Sequence, residues 1–163
     1  ALRIFKTIMS YEYLWQNIRV RGGAYGCGCN IFRTGEIVFS SYRDPHLGRT
    51  LEIYRAVADY LRTFEVDERD MTKFVIGTFS EMDAPLTPVS QGRRSLTAKL
   101  TGLTYEQLQK DRDEVLTADQ QSIRDLAGLL DAVADTAHIC AIGSEEKLKQ
   151  EAELFDHLEY LVK

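Results

Sequence analysis

The stretch Leu14-Trp15-Gln16-Asn17-Ile18-Arg19-Val20-Arg21-Gly22-Gly23-Ala24-Tyr25-Gly26-Cys27-Gly28-Cys29 passes from a helical pattern to a strand pattern within a few residues, and its reading decides the fold. Upstream, Ile4, Ile8, Tyr11, Trp15 and Ile18 recur at steps of four, three, four and three, the spacing of one helix face. The glycine pair ends that helix, because residues without a Cβ turn sharply and admit close backbone approach. Downstream, 24–32 and 36–42 read as two strands joined around Thr34-Gly35 in a tight hairpin, and Asp44-Pro45 closes the second.

Working outward, Leu51, Tyr54, Val57, Ala58 and Leu61 share one side of a following helix, and Met71, Phe74, Val75 and Phe79 mark another over about 68–81. Pro85 and Pro88 break the chain. Helices are then expected over 94–100 and 105–115, and a third is carried by Ile123, Leu126, Leu130, Val133 and Ala137. The run 138–142 reads as a short buried strand closed by Gly143, and 145–162 as a last amphipathic helix. The expected class is α+β, a largely antiparallel sheet covered on one face by helices. Three strands are few for such a sheet, so the module is read as incomplete. A start at Ala1 inside a helical pattern fits a piece of a longer polypeptide.

Composition narrows the function. At 163 residues and 44% hydrophobic content the chain is long enough to bury a core. A formal net charge of -5 with both signs interspersed argues against a nucleic-acid partner, which demands clustered Lys and Arg. No apolar run approaches the about 20 residues that cross a bilayer, so no membrane partner is expected. Three cysteines cannot all pair, and Cys27 and Cys29 fall on one strand face, so free, mostly buried thiols are expected.

The residues with the most chemistry flank the glycine turn. A phosphate cradle is excluded by order, since such loops follow a strand and precede a helix whereas this one does the reverse. Arg19 and Tyr25, one on each side of Gly22-Gly23, offer a rigid guanidinium fork for carbonyl oxygens and a phenol able to stabilise an oxyanion. A purely structural turn with solvated arginines is the alternative. Elsewhere, His46 reads as a surface turn residue, His138 as a satisfied histidine opening a buried strand, and His157 as a polar-face residue. None has a histidine partner four positions away, as a helical zinc pair requires. The pairs Glu81 with Asp83 and Asp111 with Asp113 read as solvated carboxylates.

The string 14–26, together with Phe39-Ser40-Ser41-Tyr42-Arg43-Asp44-Pro45, resembles the C-terminal region of the insulinase/pitrilysin family, in its presequence-peptidase and falcilysin branch. Asp83-Ala84-Pro85 with Pro88, Gly102-Leu103-Thr104 and the segment 109–116 extend the resemblance over most of the chain. It implies the metallohydrolase fold of that family. It also implies that residues 1–163 form a single non-zinc-binding C-terminal domain of a zinc endopeptidase that degrades unfolded peptides in a chamber and is inactive alone. In such enzymes zinc, held by a His-x-x-Glu-His motif, belongs to the N-terminal half, so no cofactor is expected in this chain. The resemblance makes Arg19 the grip on the peptide backbone and Tyr25 the hydrogen-bond donor near the scissile carbonyl, with Gly22 and Gly23 shaping the substrate-binding turn and Arg21 as the rival arginine. The implied partners are the N-terminal catalytic half and peptide substrates. A non-catalytic homologue acting as a peptide-binding or scaffold subunit, and an unrelated α+β binding domain, stay open. The expected compartment is a bacterial cytoplasm, with an organelle matrix as the alternative, and unpaired sheet edges lead us to expect self-association of the isolated chain.

Overall fold

The computed structural model describes residues 1–160. The first helical stretch opens as α1 (Leu2–Ile8) and continues without a break through two π-helical segments, Met9–Tyr13 and Trp15–Val20. Bonds to the fifth preceding residue mark the wider winding: Leu14 N–H donates to the Met9 carbonyl, and Arg21 N–H to the Gln16 carbonyl at 3.0 Å. The wider turn shifts the buried face. Ile4, Phe5, Ile8, Met9, Leu14 and Ile18 are enclosed, while Tyr11 and Trp15, placed on the apolar face by a 3.6-residue period, reach solvent.

The hairpin follows as expected. Strands β1 (Gly26–Ile31) and β2 (Ile37–Tyr42) pair antiparallel in the register Gly26 to Tyr42 through Ile31 to Ile37. Alternation puts Cys27, Cys29, Ile31, Ile37, Phe39 and Ser41 on one face and Gly26, Gly28, Asn30, Val38, Ser40 and Tyr42 on the other. Cys29 is buried in the core cluster, with Cys27, Ile31, Ile37 and Phe39 packed against it. The molecule is thus α+β, with helices covering one face of a two-stranded antiparallel sheet.

The helices depart from the sequence pattern at their ends. The expected helix through Leu51 and Leu61 divides at Ala56 into α2 (Leu47–Arg55) and α3 (Val57–Arg62). Helix α4 (Glu68–Met82) is capped by the Asp67 carboxylate, which accepts the Asp70 N–H at 2.8 Å. Pro88 starts a helix rather than breaking one: α5 (Pro88–Thr101) places it in the first turn, where its missing N–H costs nothing. A reciprocal capping box between Thr104 and Gln107 opens α6 (Tyr105–Leu116). The third expected helix divides into α7 (Gln120–Arg124) and α8 (Ala127–Asp135).

Residues 138–142 correct the sequence reading: they form no strand, and His138, Ile139, Cys140 and Ile142 are exposed. A strand exists only where a neighbour completes its ladder, and among the described residues β1 and β2 pair only with each other. His138 is therefore a surface residue, and Cys140 an exposed free thiol. The last helix is also shorter than expected. It spans α9 (Glu145–Gln150), followed by a single 3₁₀ turn at Ala152–Leu154, and the end of the expected helix at 161–162 lies outside the described residues.

One core joins these pieces. Phe5, Ile8, Met9 and Leu14 meet Val57, Ala58 and Leu61 of α3, Phe64, Met71 of α4, Val115 of α6, Ile123 of α7 and Ala127 with Leu130 of α8. Each large side chain so enclosed contributes about 1.5–3 kcal/mol relative to exposure. The core therefore anchors both the long N-terminal helical rod and the strand that leaves it, and the glycine turn between them inherits a fixed position.

Candidate functional site

The site is built where the rod meets the sheet. Gly23 N–H donates to the Arg19 carbonyl at 2.9 Å and Ala24 N–H to the Ile18 carbonyl at 3.1 Å, so the last carbonyls of the helix are satisfied as the chain reverses. Both glycines are sterically required. A Cβ on Gly22 would stand 2.4 Å from the Ile18 carbonyl oxygen, and Gly23 occupies the left-handed region at φ +78°. Tyr25 N–H then donates to the Tyr42 carbonyl at 3.0 Å and begins the ladder with β2.

The two segments that carried the resemblance meet here. Pro45 Cγ lies 3.8 Å from the position a Gly23 Cβ would take, which lays the end of the β2 strand segment across the glycine turn. Asp44 fixes that end: its carboxylate accepts the His46 N–H at 2.9 Å and the Thr50 hydroxyl at 2.6 Å, tying it to α2. Lys147 of α9 adds a hydrogen bond from its ammonium to the Pro45 carbonyl at 3.1 Å. His46 is an exposed turn residue, as expected.

On this frame the side chains are arranged in two sets. The Arg19 guanidinium lies 3.9 Å above the ring of Trp15, which the π-helical winding has turned outward. Tyr25, 66% exposed, meets the Tyr42 ring edge to face at 5.9 Å and 83°. The Arg43 guanidinium stands 5.8 Å from the Tyr25 ring and 5.4 Å from the Tyr42 ring. Each such cation–ring contact is worth about 0.5–1 kcal/mol at an exposed site, enough to bias a rotamer. Arg19 and Tyr25 thus flank the turn as the sequence places them, each held by aromatic partners of its own rather than by the other. Arg21 is exposed and directs Nη1 to the Asn17 side-chain oxygen at 3.4 Å.

Beneath the turn, burial favours the neutral forms of the titratable groups. Burial pushes the Cys27 thiol up, partly offset by the positive charge of Arg19, and pushes Cys29 up to about 12. Tyr54 of α2 stacks on Phe39 at 5.4 Å and 21°, and burial raises its phenol to about 12. Its hydroxyl, beside Ser41, is enclosed without a well-formed hydrogen bond.

Trp15, Tyr42 and Arg43 are the site residues that sequence reasoning missed. The helical period puts Trp15 on the apolar face, and the strand pattern makes Tyr42 and Arg43 a strand end. The available signal was the density of aromatic and arginine residues around one glycine turn. Of the carboxylate pairs, Glu81, Asp83 and Asp113 are exposed, as expected, whereas Asp111 is half-buried, and all but Asp113 also have cationic partners. Lys6 reaches Glu81 at 2.8 Å, Arg112 grips Asp83 at 2.6 and 2.7 Å, and Arg3 and Arg33 both reach Asp111. Partial burial works against the charge of Asp111, but hydrogen bonds and charge from those two arginines hold its carboxyl below the usual range. Among the described residues no three His, Cys, Asp or Glu side chains converge as metal ligands.

A family model described as the PreP C-terminal domain matches residues 2–145. The chain belongs to the presequence-protease C-terminal domain family. It is 39% identical over 163 residues to Protein HypA of Clostridium perfringens, which covers 100% of this chain and 17% of that protein. It is 38% identical over 141 residues to presequence protease 1, chloroplastic/mitochondrial, of Arabidopsis thaliana, covering 86% of this chain and 13% of that protein. It is 30% identical over 148 residues to the mitochondrial presequence protease of Danio rerio, covering 90% of this chain and 14% of that protein. The chain therefore spans less than a fifth of the length of these relatives. No helix among its described residues is long and apolar enough to cross a membrane.

Proposed function

We propose that this domain is the substrate-binding wall of a zinc-dependent endopeptidase that degrades unfolded peptides in an enclosed chamber. The observation that carries the reading is a pair of hydrogen-bond donors, half-buried Arg19 and exposed Tyr25, braced on opposite flanks of a glycine turn whose shape tolerates no larger residue at Gly22. The Arg19 fork donates to backbone carbonyls of an extended peptide, and the Tyr25 phenol donates to the scissile carbonyl oxygen as negative charge develops there. Buried Gly22 sets the shape of the turn, and exposed Gly23 leaves the peptide room to lie against it. Zinc and the general base reside in the N-terminal half of the same polypeptide, which is the domain's partner, and zinc supplies the activation of water. In this reading the domain's own part is to bind and polarise the peptide, and the isolated domain is inert. The compartment in this reading is a bacterial cytoplasm or an organelle matrix, the latter in keeping with the chloroplastic/mitochondrial and mitochondrial names of the plant and fish relatives.

The test is peptide hydrolysis by the full-length polypeptide, comparing wild type with Arg19→Ala and Tyr25→Phe at matched zinc content, with the isolated domain as control. Loss of one transition-state donor is expected to lower kcat by about 10²-fold for Tyr25→Phe. Arg19→Ala is expected to act at least partly through KM. Unchanged kinetics in both variants would make the turn architecture only.

A further inference from the structure

Arg43 is a non-glycine residue in the left-handed backbone region, at φ +49°. Glycine occupies that region at no steric cost, whereas a residue with a Cβ is disfavoured there. The side chain itself therefore has to account for the residue. Its surroundings give the account: the guanidinium stands over the Tyr25 ring at 5.8 Å and over the Tyr42 ring at 5.4 Å, and the two rings meet at 83°. The left-handed turn at Arg43 also brings Asp44 and Pro45 to the glycine turn, so backbone and side chain act on the same place. Tyr25 is largely exposed, and the contacts its ring makes with Tyr42 and Arg43 are what bear on its rotamer.

We infer that Arg43, with Tyr42 beneath it, is a positioning residue that holds the Tyr25 phenol in the orientation in which it donates to substrate. The inference rests on the reading of Tyr25 as the carbonyl donor. Arg43 touches no reacting atom; it narrows the motion of the residue that does. Removing it lets Tyr25 rotate away, and the loss falls on the chemical step rather than on ground-state peptide binding.

The test uses the full-length polypeptide and compares Arg43→Gly, Arg43→Lys, Tyr25→Phe and the Arg43→Gly/Tyr25→Phe double variant for kcat, KM and melting temperature. Arg43→Gly is expected to melt at or above the wild-type temperature, because it relieves the backbone, while its kcat falls about ten-fold or more with KM little changed. Arg43→Lys, which keeps a cation over the rings, is expected to recover a large part of kcat. In the Tyr25→Phe background Arg43→Gly is expected to add no further loss, since there is no phenol left to position. If Tyr25→Phe is impaired but Arg43→Gly turns over like wild type, Arg43 is only a turn residue and the Tyr25 reading stands. An equal Arg43→Gly loss in both backgrounds, with or without a fall in melting temperature, also overturns the inference, because the effect then bypasses Tyr25. If Tyr25→Phe itself is without effect, both the inference and the reading beneath it fall.

Discussion

Gly22 is the residue on which the site's geometry depends most directly. With its Cβ position 2.4 Å from the Ile18 carbonyl oxygen, even alanine must push the helix end and the start of β1 apart. Gly22→Ala is expected to destabilise the domain by about 1–3 kcal/mol, the usual cost of overpacking, in equilibrium denaturation. A variant as stable as wild type would mean that the turn relaxes easily and does not register Arg19 against Tyr25. The thiols give a second residue-scale expectation. Burial pushes Cys29 up to about 12 and raises Cys27, whereas Cys140 is exposed. A thiol reagent on the native domain is expected to modify Cys140 first, Cys27 slowly and Cys29 only on unfolding. Rapid modification of Cys29 would contradict its place in the core. The glycines, Arg19 and Tyr25 were legible in the sequence because residue type and order alone set their options. Arg43 was not, since its backbone conformation and its two ring partners are properties of the folded chain.

At the scale of elements, the hairpin was legible to within about two residues because alternation and a turn signal agree there. The first helix was legible in extent but not in phase. A 3.6-residue period assumes α-helical winding, and the π-helical segments from Met9 to Val20 rotate Tyr11 and Trp15 out of the face that the period assigns them. Trp15 and Arg19, four residues apart, stack on that exposed face. The run 138–142 failed for a different reason, because apolar content records a wish for burial and not the presence of a ladder partner. The junction of α4 and α6 carries the pH expectation. The hydrogen bonds from Arg112 hold the Asp83 carboxyl below the usual carboxylate range. A depressed folded-state pKa means that the stabilisation is present above the unfolded-state pKa of about 3.9 and is lost as pH falls through the lower folded value. Asp83→Asn is expected to melt below wild type at neutral pH, and the gap is expected to close as the solution is acidified below about pH 4. A gap that persists unchanged in acid would mean that the pair acts through shape and not charge.

For the whole molecule, the question is what its unpaired surfaces do when the domain is alone. Among the described residues the sheet has two strands, and no third strand pairs with either. Its outer face carries Val38 at 43% and Tyr42 at 58% exposure around glycines that offer little steric protection. Unsatisfied strand edges beside an exposed face with little charge favour pairing with another copy. A competing surface exists on α5, where Val89, Leu96 and Leu100 are all exposed and no residue of the helix is buried. The two make different predictions. Light scattering of the isolated domain is expected to show association that grows with concentration, suppressed by Val38→Lys and unaffected by Leu96→Lys. The reverse pattern would assign the contact to α5, and a monomer at every concentration would mean that the hairpin edges are already protected by their twist and short length.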